Sequence, residues 1–286
     1  NNKLSKSKGS DLKIGDYLPA MSTLPMLEEH RIQDLGVSEF IYTNEYFPER
    51  LVLDELFGFV IGAYLAEGCV TKHHVSISNN DHAFTNRIEQ WADRIGAKYH
   101  YDEGTIRIHS IVLARIFNEM FTHKETIGIK HLPVSLLGAP DECLRGIVDG
   151  YFCGDGSVAT KQKYITADSV SHKLLENMSL VLRKFDVKAS IAIKNGYQTT
   201  PTYTLSLNER NSAQFARRFT LTLRHKQKRL DDYLTNTNRD TTDSLCDEVP
   251  NVCLSNGTTN NMTIKDLVSM ANDDNAPEED RAVCRT

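Results

Sequence analysis

Two segments of this chain share one unusual design, and it constrains the fold more than any other feature. They are Leu56-Phe57-Gly58-Phe59-Val60-Ile61-Gly62-Ala63-Tyr64-Leu65-Ala66-Glu67-Gly68 and Leu144-Arg145-Gly146-Ile147-Val148-Asp149-Gly150-Tyr151-Phe152-Cys153-Gly154-Asp155-Gly156. Aligned without a gap, Gly58, Gly62, Glu67 and Gly68 fall opposite Gly146, Gly150, Asp155 and Gly156. Glycine inside a helix costs about 1 kcal/mol relative to alanine, so it needs a reason to be there. Residues four apart share a helix face, so Gly58, Gly62 and Ala66 form one flat stripe and Gly146, Gly150 and Gly154 another. Two such stripes let two helices meet backbone to backbone. Taken singly, either segment reads as a packing helix with a capping carboxylate; the duplication of glycine, carboxylate and glycine favours a paired site.

The pairing places Glu67 and Asp155 side by side at the bottom of the two helices, with Gly68 and Gly156 expected as left-handed C-terminal caps. Two carboxylates at helix ends that already carry partial negative charge call for a cation. Hard carboxylate oxygens, with the backbone carbonyls of Gly68 and Gly156, suit Mg²⁺, for which Mn²⁺ is a substitute.

The flanking sequence repeats as well. After the first segment, residues 75–78 alternate as a strand and 81–95 read as a helix capped by Asp81. Strands at 97–102 and 105–109 follow, joined at Glu103-Gly104, and then a helix at 111–121. After the second, a strand at 164–167, a helix at 171–185, strands at 187–194 and 202–208 across Asn195-Gly196, and a helix at 212–219 repeat the order. Both units read α-β-β-α-β-β-α. The expected architecture is α+β: two pseudo-symmetric repeats, 51–143 and 144–235, packed through the glycine helices, with antiparallel sheets beside the carboxylates. Residues 1–50 form a connector that includes a strand and turn at 11–19. Residues 236–286 form an acidic, partly disordered tail or linker with one helix at 264–271.

The formal net charge of −5 hides an uneven distribution. From Arg239 onward ten acidic residues face four basic ones, so the rest of the chain sums to about neutral. Between Gly156 and Leu230 fourteen Lys or Arg stand against four acidic residues, a stretch able to meet a polyanion. The six cysteines form no zinc spacing or redox motif, and no signal peptide or membrane span is evident, so a reducing intracellular setting is expected. The first residue is Asn, which fits a segment processed from a longer protein.

The two segments resemble the paired motifs of LAGLIDADG homing endonucleases of the DOD type, in the single-chain two-repeat form often found inside inteins; the likeness runs over roughly 51–233. The resemblance implies that the motif helices form the interface between the halves, that the last acid of each motif binds metal, and that both strands of duplex DNA are hydrolysed. Those roles fall on Glu67, where the motif usually has Asp, and on Asp155. Ile129-Lys130-His131-Leu132-Pro133 and His225-Lys226-Gln227-Lys228-Arg229-Leu230 are similar to the lysine blocks of such enzymes, which implies catalytic roles for Lys130 and for Lys226, with Lys228 as its competitor. Residues 12–19 are similar to the junction with a self-splicing module, although no terminal splicing nucleophile or His-Asn is present.

Strand alternation sorts the remaining residues. In 187–194, Val187, Ala189, Ile191 and Ile193 point inward while Lys188, Ser190 and Lys194 point outward; in the partner strand Thr204 and Ser206 face out. In the first unit Ile106 and Ile108 face in, Arg107 and His109 out. With Lys161, Lys163 and Lys228, these outward residues are the expected contacts to a long, asymmetric duplex bound by a monomer. The alternatives are a cleavage-deficient DNA-binding relative and an RNA-splicing maturase on the same fold.

Overall fold

The computed structural model describes residues 31–41, 47–122, 129–160, 164–194, 201–235, 248–253, 259–263, 270, 273, 275–279 and 281. The chain divides into two compact units, residues 22–238 and residues 1–21 with 239–286.

In chain order the larger unit contains β1 (Asp34–Gly36), β2 (Arg50–Val52), α1 (Glu55–Glu67), β3 (Gly68–Val70), β4 (His74–Ser78), α2 (His82–Arg94), β5 (Lys98–Asp102), β6 (Thr105–His109), α3 (Ile111–Phe121), α4 (Asp141–Gly154), β7 (Gly156–Val158), β8 (Ile165–Ser169), α5 (His172–Lys184), β9 (Ser190–Lys194), β10 (Thr202–Leu207), α6 (Glu209–Arg218) and α7 (Arg224–Thr235). In the smaller unit β11 (Glu248–Cys253) pairs antiparallel with β12 (Thr259–Thr263). The helix expected at 264–271 and the strand expected at 11–19 lie outside the described residues, apart from Met270.

The fold is α+β and internally repeated. Both sheets are antiparallel and share one strand order, β3-β4-β6-β5 and β7-β8-β10-β9. The repetition reaches the helix caps. Asp81 accepts from the Ala83 amide at 2.8 Å at the start of α2, and Ser171 accepts from Leu174 at 3.1 Å at the start of α5. Ser110 and Asn208 do the same for α3 and α6, at 3.0 and 2.9 Å. Each cap satisfies a backbone donor that the first helical turn leaves without a partner. Between β5 and β6, Glu103 (φ 45°) and Gly104 (φ 78°) both occupy the left-handed region, as a two-residue hairpin turn of matching twist requires.

Three expectations are corrected. The strand placed at 187–194 begins only at Ser190, because the Lys188 amide donates instead to Asn211 Oδ1 at 2.8 Å. Ile193, expected in the core, is 63% exposed, since β9 is an edge strand. The final helix was placed at 212–219, but α6 begins earlier and the unforeseen α7 follows it. The connector before the repeats contributes β1, which pairs with β2, and buries Val37, Phe40 and Phe47.

The core is one continuous cluster spanning both repeats. Phe57 of α1 stacks on Trp91 of α2 at 4.8 Å, and Phe152 of α4 packs on Phe215 of α6 at 4.9 Å. Each glycine helix thus shows its aromatic side to its own repeat and its glycines to the other. No helix among the described residues is long and apolar enough to cross a membrane.

Candidate functional site: two carboxylates over a glycine seam

The seam between α1 and α4 has no room for side chains. A Cβ on Gly58 would overlap the Cys143 carbonyl, and one on Gly62 would lie 2.7 Å from the Tyr151 nitrogen. From the other side, a Cβ on Gly146 would overlap the Glu55 carbonyl, and one on Gly150 would lie 2.6 Å from the Ala63 nitrogen. All these obstacles are backbone, which cannot rotate away. At the bottom of the seam a Cβ on Gly154 would lie 2.5 Å from the Ala66 methyl and 3.6 Å from Glu67 Oε1. This approach brings the Glu67 carboxylate of α1 to the foot of α4, where Asp155 terminates the helix.

Gly68 and Gly156 are not left-handed caps. Gly68 is extended (φ −87°, ψ 154°), and the cap of α4 is Asp155 itself in a helical conformation (φ −77°, ψ −13°). Each glycine opens a strand that leaves directly from the helix end. Crowding explains the residue type: a Cβ on Gly68 would lie 2.6 Å from the Tyr64 carbonyl oxygen, and one on Gly156 2.7 Å from Phe152 Cα.

Under each carboxylate lies a lysine. Lys130 Nζ donates to the carbonyls of Tyr64, Ala66 and Gly68 at 2.9, 3.1 and 3.0 Å. Lys226 Nζ donates to those of Phe152, Cys153, Gly154 and Gly156 at 2.9, 2.6, 3.2 and 2.6 Å. An ammonium has three protons, so both lysines spend their donors on the last carbonyls of α1 and α4, where the helix dipole is negative. Burial lowers both lysine pKa values, opposed by nearby acidic groups: chiefly Asp155 and then Glu67 at Lys130, and Asp155 and Glu67 among those at Lys226. Lys228, the competitor, is exposed on α7.

Asp155 is half-buried. Burial and then the charge of Glu67 push its pKa up to about 7, against the pull of Lys130 and Lys226. The two ammonium groups below thus do not offset burial and the Glu67 charge. Among the described residues no three His, Cys, Asp or Glu side chains gather as a metal cluster. Two adjacent carboxylates with flanking carbonyls fit Mg²⁺, which keeps most of its waters and needs only one or two protein carboxylates. Gly68 and Gly156 have one carbonyl lone pair each beyond the bond to lysine.

Residues 142–220 match the family profile of the LAGLIDADG-like domain. The chain as a whole is 32% identical over 273 residues to the DNA-directed RNA polymerase subunit Rpo1C of Methanocaldococcus jannaschii, covering 88% of this chain and 31% of that protein. It is 27% identical to elongation factor 2 of Methanopyrus kandleri, covering 55% of this chain and 13% of that protein. The chain thus spans about a third or less of the curated relatives it matches. Among solved structures, the homing endonuclease I-DmoI in mesophilic variants aligns with a TM-score of 0.46 at 14% identity, covering 58% of this chain and 96% of that one.

The outward sheet faces of the two repeats differ in a way the raw charge count did not reveal. On the first, Lys98 and His74 flank His109, and His100 and Ser76 flank Arg107, in register. Arg107 also pairs with Asp102 at 3.1 Å. On the second face Thr166, Ser190, Thr202, Thr204 and Ser206 dominate, and Lys194 is bound to Asp168 at 2.6 Å. Partial burial raises the Asp168 pKa, but Lys194 and Thr204 outweigh it and hold the group below the usual carboxylate range. The repeat richer in lysine and arginine thus turns the more neutral sheet face outward. Lys188 precedes β9, and Lys161 and Lys163 lie outside the described residues.

Asp149 is the residue the sequence reading missed. It is buried in α4 and bonded to Arg87 of α2 and to Thr222 before α7. A signal was available: it stands opposite Ile61 in the aligned segments, and a carboxylate in an apolar helix face requires a partner.

Proposed function

We propose that this chain is a site-specific, metal-dependent DNA endonuclease of the LAGLIDADG homing type, with residues 51–143 and 144–235 each serving one half of a long, asymmetric duplex site. The observation that carries this reading is the carboxylate pair: two acids from two helices, forced together by the glycine seam, where burial and the Glu67 charge push the Asp155 pKa up to about 7. Glu67 and Asp155 would hold Mg²⁺ or Mn²⁺. Bound there, the cation would supply charge stabilisation at the scissile phosphate and acidify a water. Lys130 and Lys226 hold the helix ends and offset part of the carboxylate repulsion. Arg107, His109, His74, His100 and Lys98 are the phosphate and base contacts of the first half; Ser190, Thr204, Ser206 and, on exchanging Asp168 for phosphate, Lys194 are those of the second.

The relatives support a mobile insert. One is named as an RNA polymerase subunit and another as an elongation factor, and this chain matches about a third or less of each, as a segment inserted into unrelated hosts would. We read that shared part as an intein-type insertion that cuts the uninterrupted host gene.

The test is incubation of the purified chain with a library of randomised duplexes and Mg²⁺ or Mn²⁺, followed by sequencing of the ends. One recurring double-strand break, lost in Asp155→Asn, is expected. Retention of duplex binding without a break in either metal would favour the cleavage-deficient reading, to which the glutamate at position 67 lends itself. Absence of duplex binding would overturn both.

A further inference from the structure

We infer that Asp149 is a positioning residue: through Thr222 and Cys153 it sets the start of α7 and so holds Lys226 beneath Asp155, and through Arg87 it makes that placement depend on the other repeat. The functional weight of this inference rests on the reading of Lys226 and Asp155 as half of the cleavage site; its geometry does not.

Asp149 is only 4% exposed, and both of its oxygens are occupied. Oδ1 accepts from the Thr222 amide at 2.7 Å and from Cys153 Sγ at 3.1 Å. Oδ2 accepts from Thr222 Oγ1 at 2.6 Å and from Arg87 Nη1 at 2.7 Å. Burial and the Asp149 charge keep the Cys153 thiol protonated, which makes it a donor. Four donors around one buried carboxylate is the arrangement that keeps an internal charge from being destabilising.

The bonds converge on three residues ahead of α7. Thr222 binds Asp149 twice, and the Leu223 amide donates to Cys153 Sγ at 3.4 Å. The Leu221 amide donates to Gln227 Oε1 at 2.7 Å, and the Leu223 carbonyl accepts from the Lys226 amide at 3.0 Å. Lys226 therefore stands one turn beyond an anchor whose only charged member in α4 is Asp149. The anchor continues into the first repeat. Arg87 donates also to Thr222 Oγ1 at 2.8 Å and to Glu55, and lies 4.2 Å over the Phe59 ring.

Lys130 is held by other means. It forms an isolated bridge with Thr122, its neighbour His131 donates its amide to Phe121 at 2.9 Å, and Ile61 stands where Asp149 stands in the other half. The two lysines can therefore be separated experimentally within one molecule.

The experiment is limited acetylation of the intact chain with N-hydroxysuccinimidyl acetate, the modification of Lys226, Lys130 and exposed Lys228 being quantified by peptide mass spectrometry. In the unaltered protein Lys226 and Lys130 should both lag behind Lys228. In Asp149→Asn, and in the milder Thr222→Val, acetylation of Lys226 should rise roughly tenfold while Lys130 stays unchanged, the opening ratio expected for loss of one hydrogen bond to a charged group. Arg87→Gln lies in the repeat of Lys130 yet should raise Lys226. Equal rises at both lysines would mean general loosening and would overturn the inference, as would no rise at Lys226. Strand-resolved cleavage by the same variants should show preferential loss on one strand. If the unaltered chain does not cut, the endonuclease reading fails while the acetylation ratio still decides the positioning role.

Discussion

Gly150→Ala tests the seam with a single methyl group. The new Cβ would lie 2.6 Å from the Ala63 nitrogen and overlap the Phe59 carbonyl, whereas ordinary contact begins at 3.4 Å. The helices must therefore part by more than about 0.8 Å, because the Phe59 carbonyl lies nearer still than the Ala63 nitrogen and both obstacles are backbone at the middle of α1. A gap of that size forfeits about a quarter to a half of the dispersion energy of each facing atom pair. Overpacking against rigid atoms belongs at the upper end of the usual range, about 3 kcal/mol. Alanine returns about 1 kcal/mol of helix propensity, leaving a net loss of about 2 kcal/mol. For a unit of this size that lowers Tm by about 4–8 °C, readable by calorimetry without added metal. The matched control is Gly36→Ala, where nothing lies within 4 Å and the change should stay within about 0.5 kcal/mol. If Gly150→Ala were as stable as the unaltered chain, the glycines would not be there for close approach, and the account of how Glu67 and Asp155 meet would fall with them.

Asp155 should impose a pH dependence. Folded, it keeps its proton to about pH 7, whereas an unfolded chain releases it near 3.8, so the metal-free protein should lose stability through this group as pH rises from about 4 to 7. Asp155→Asn should flatten that part of the Tm–pH curve, and in calorimetric titration Mg²⁺ affinity should fall as pH drops below 7 because the proton competes. Arg107→Gln should weaken duplex binding and reduce the slope of log K against log salt by about one, measured by fluorescence anisotropy; Lys194→Gln should do less, and the reverse order would refute the division of charge between the two faces. Asp81→Ala should cost about 1 kcal/mol in denaturant unfolding, as loss of an N-cap does.

What the sequence revealed depended on range. The cap at Asp81 and the turn at Glu103-Gly104 are written within a few residues, and the glycine stripes within one helix, so spacing alone exposed them. The meeting of Arg87, Asp149 and Thr222 joins three distant stretches, and no local pattern encodes it. Gly68 was misread because a glycine after a helix usually serves a left-handed cap, whereas here the chain continues straight into β3. The lysine blocks were visible, but not that their protons are spent on helix carbonyls, since that depends on where α1 and α4 end. The charge of the sheet faces was misjudged for a similar reason: composition counts Lys194 as a free cation, and only the fold brings Asp168 to it.

The bond from Arg87 to Asp149 bears on how such a molecule can be rebuilt. Two copies of the first repeat, joined as a symmetric pair, would set each Arg87 against Ile61, keeping its bond to Glu55 but losing the one to Asp149, at a cost of about 1.5–3 kcal/mol for each half. The halves look like interchangeable modules, yet Arg87 and Asp149 complement each other only when one of each half is present. Anyone grafting its second half onto a foreign partner will have to bring an arginine equivalent to Arg87 along, or replace Asp149 and Thr222 with apolar residues in the same step.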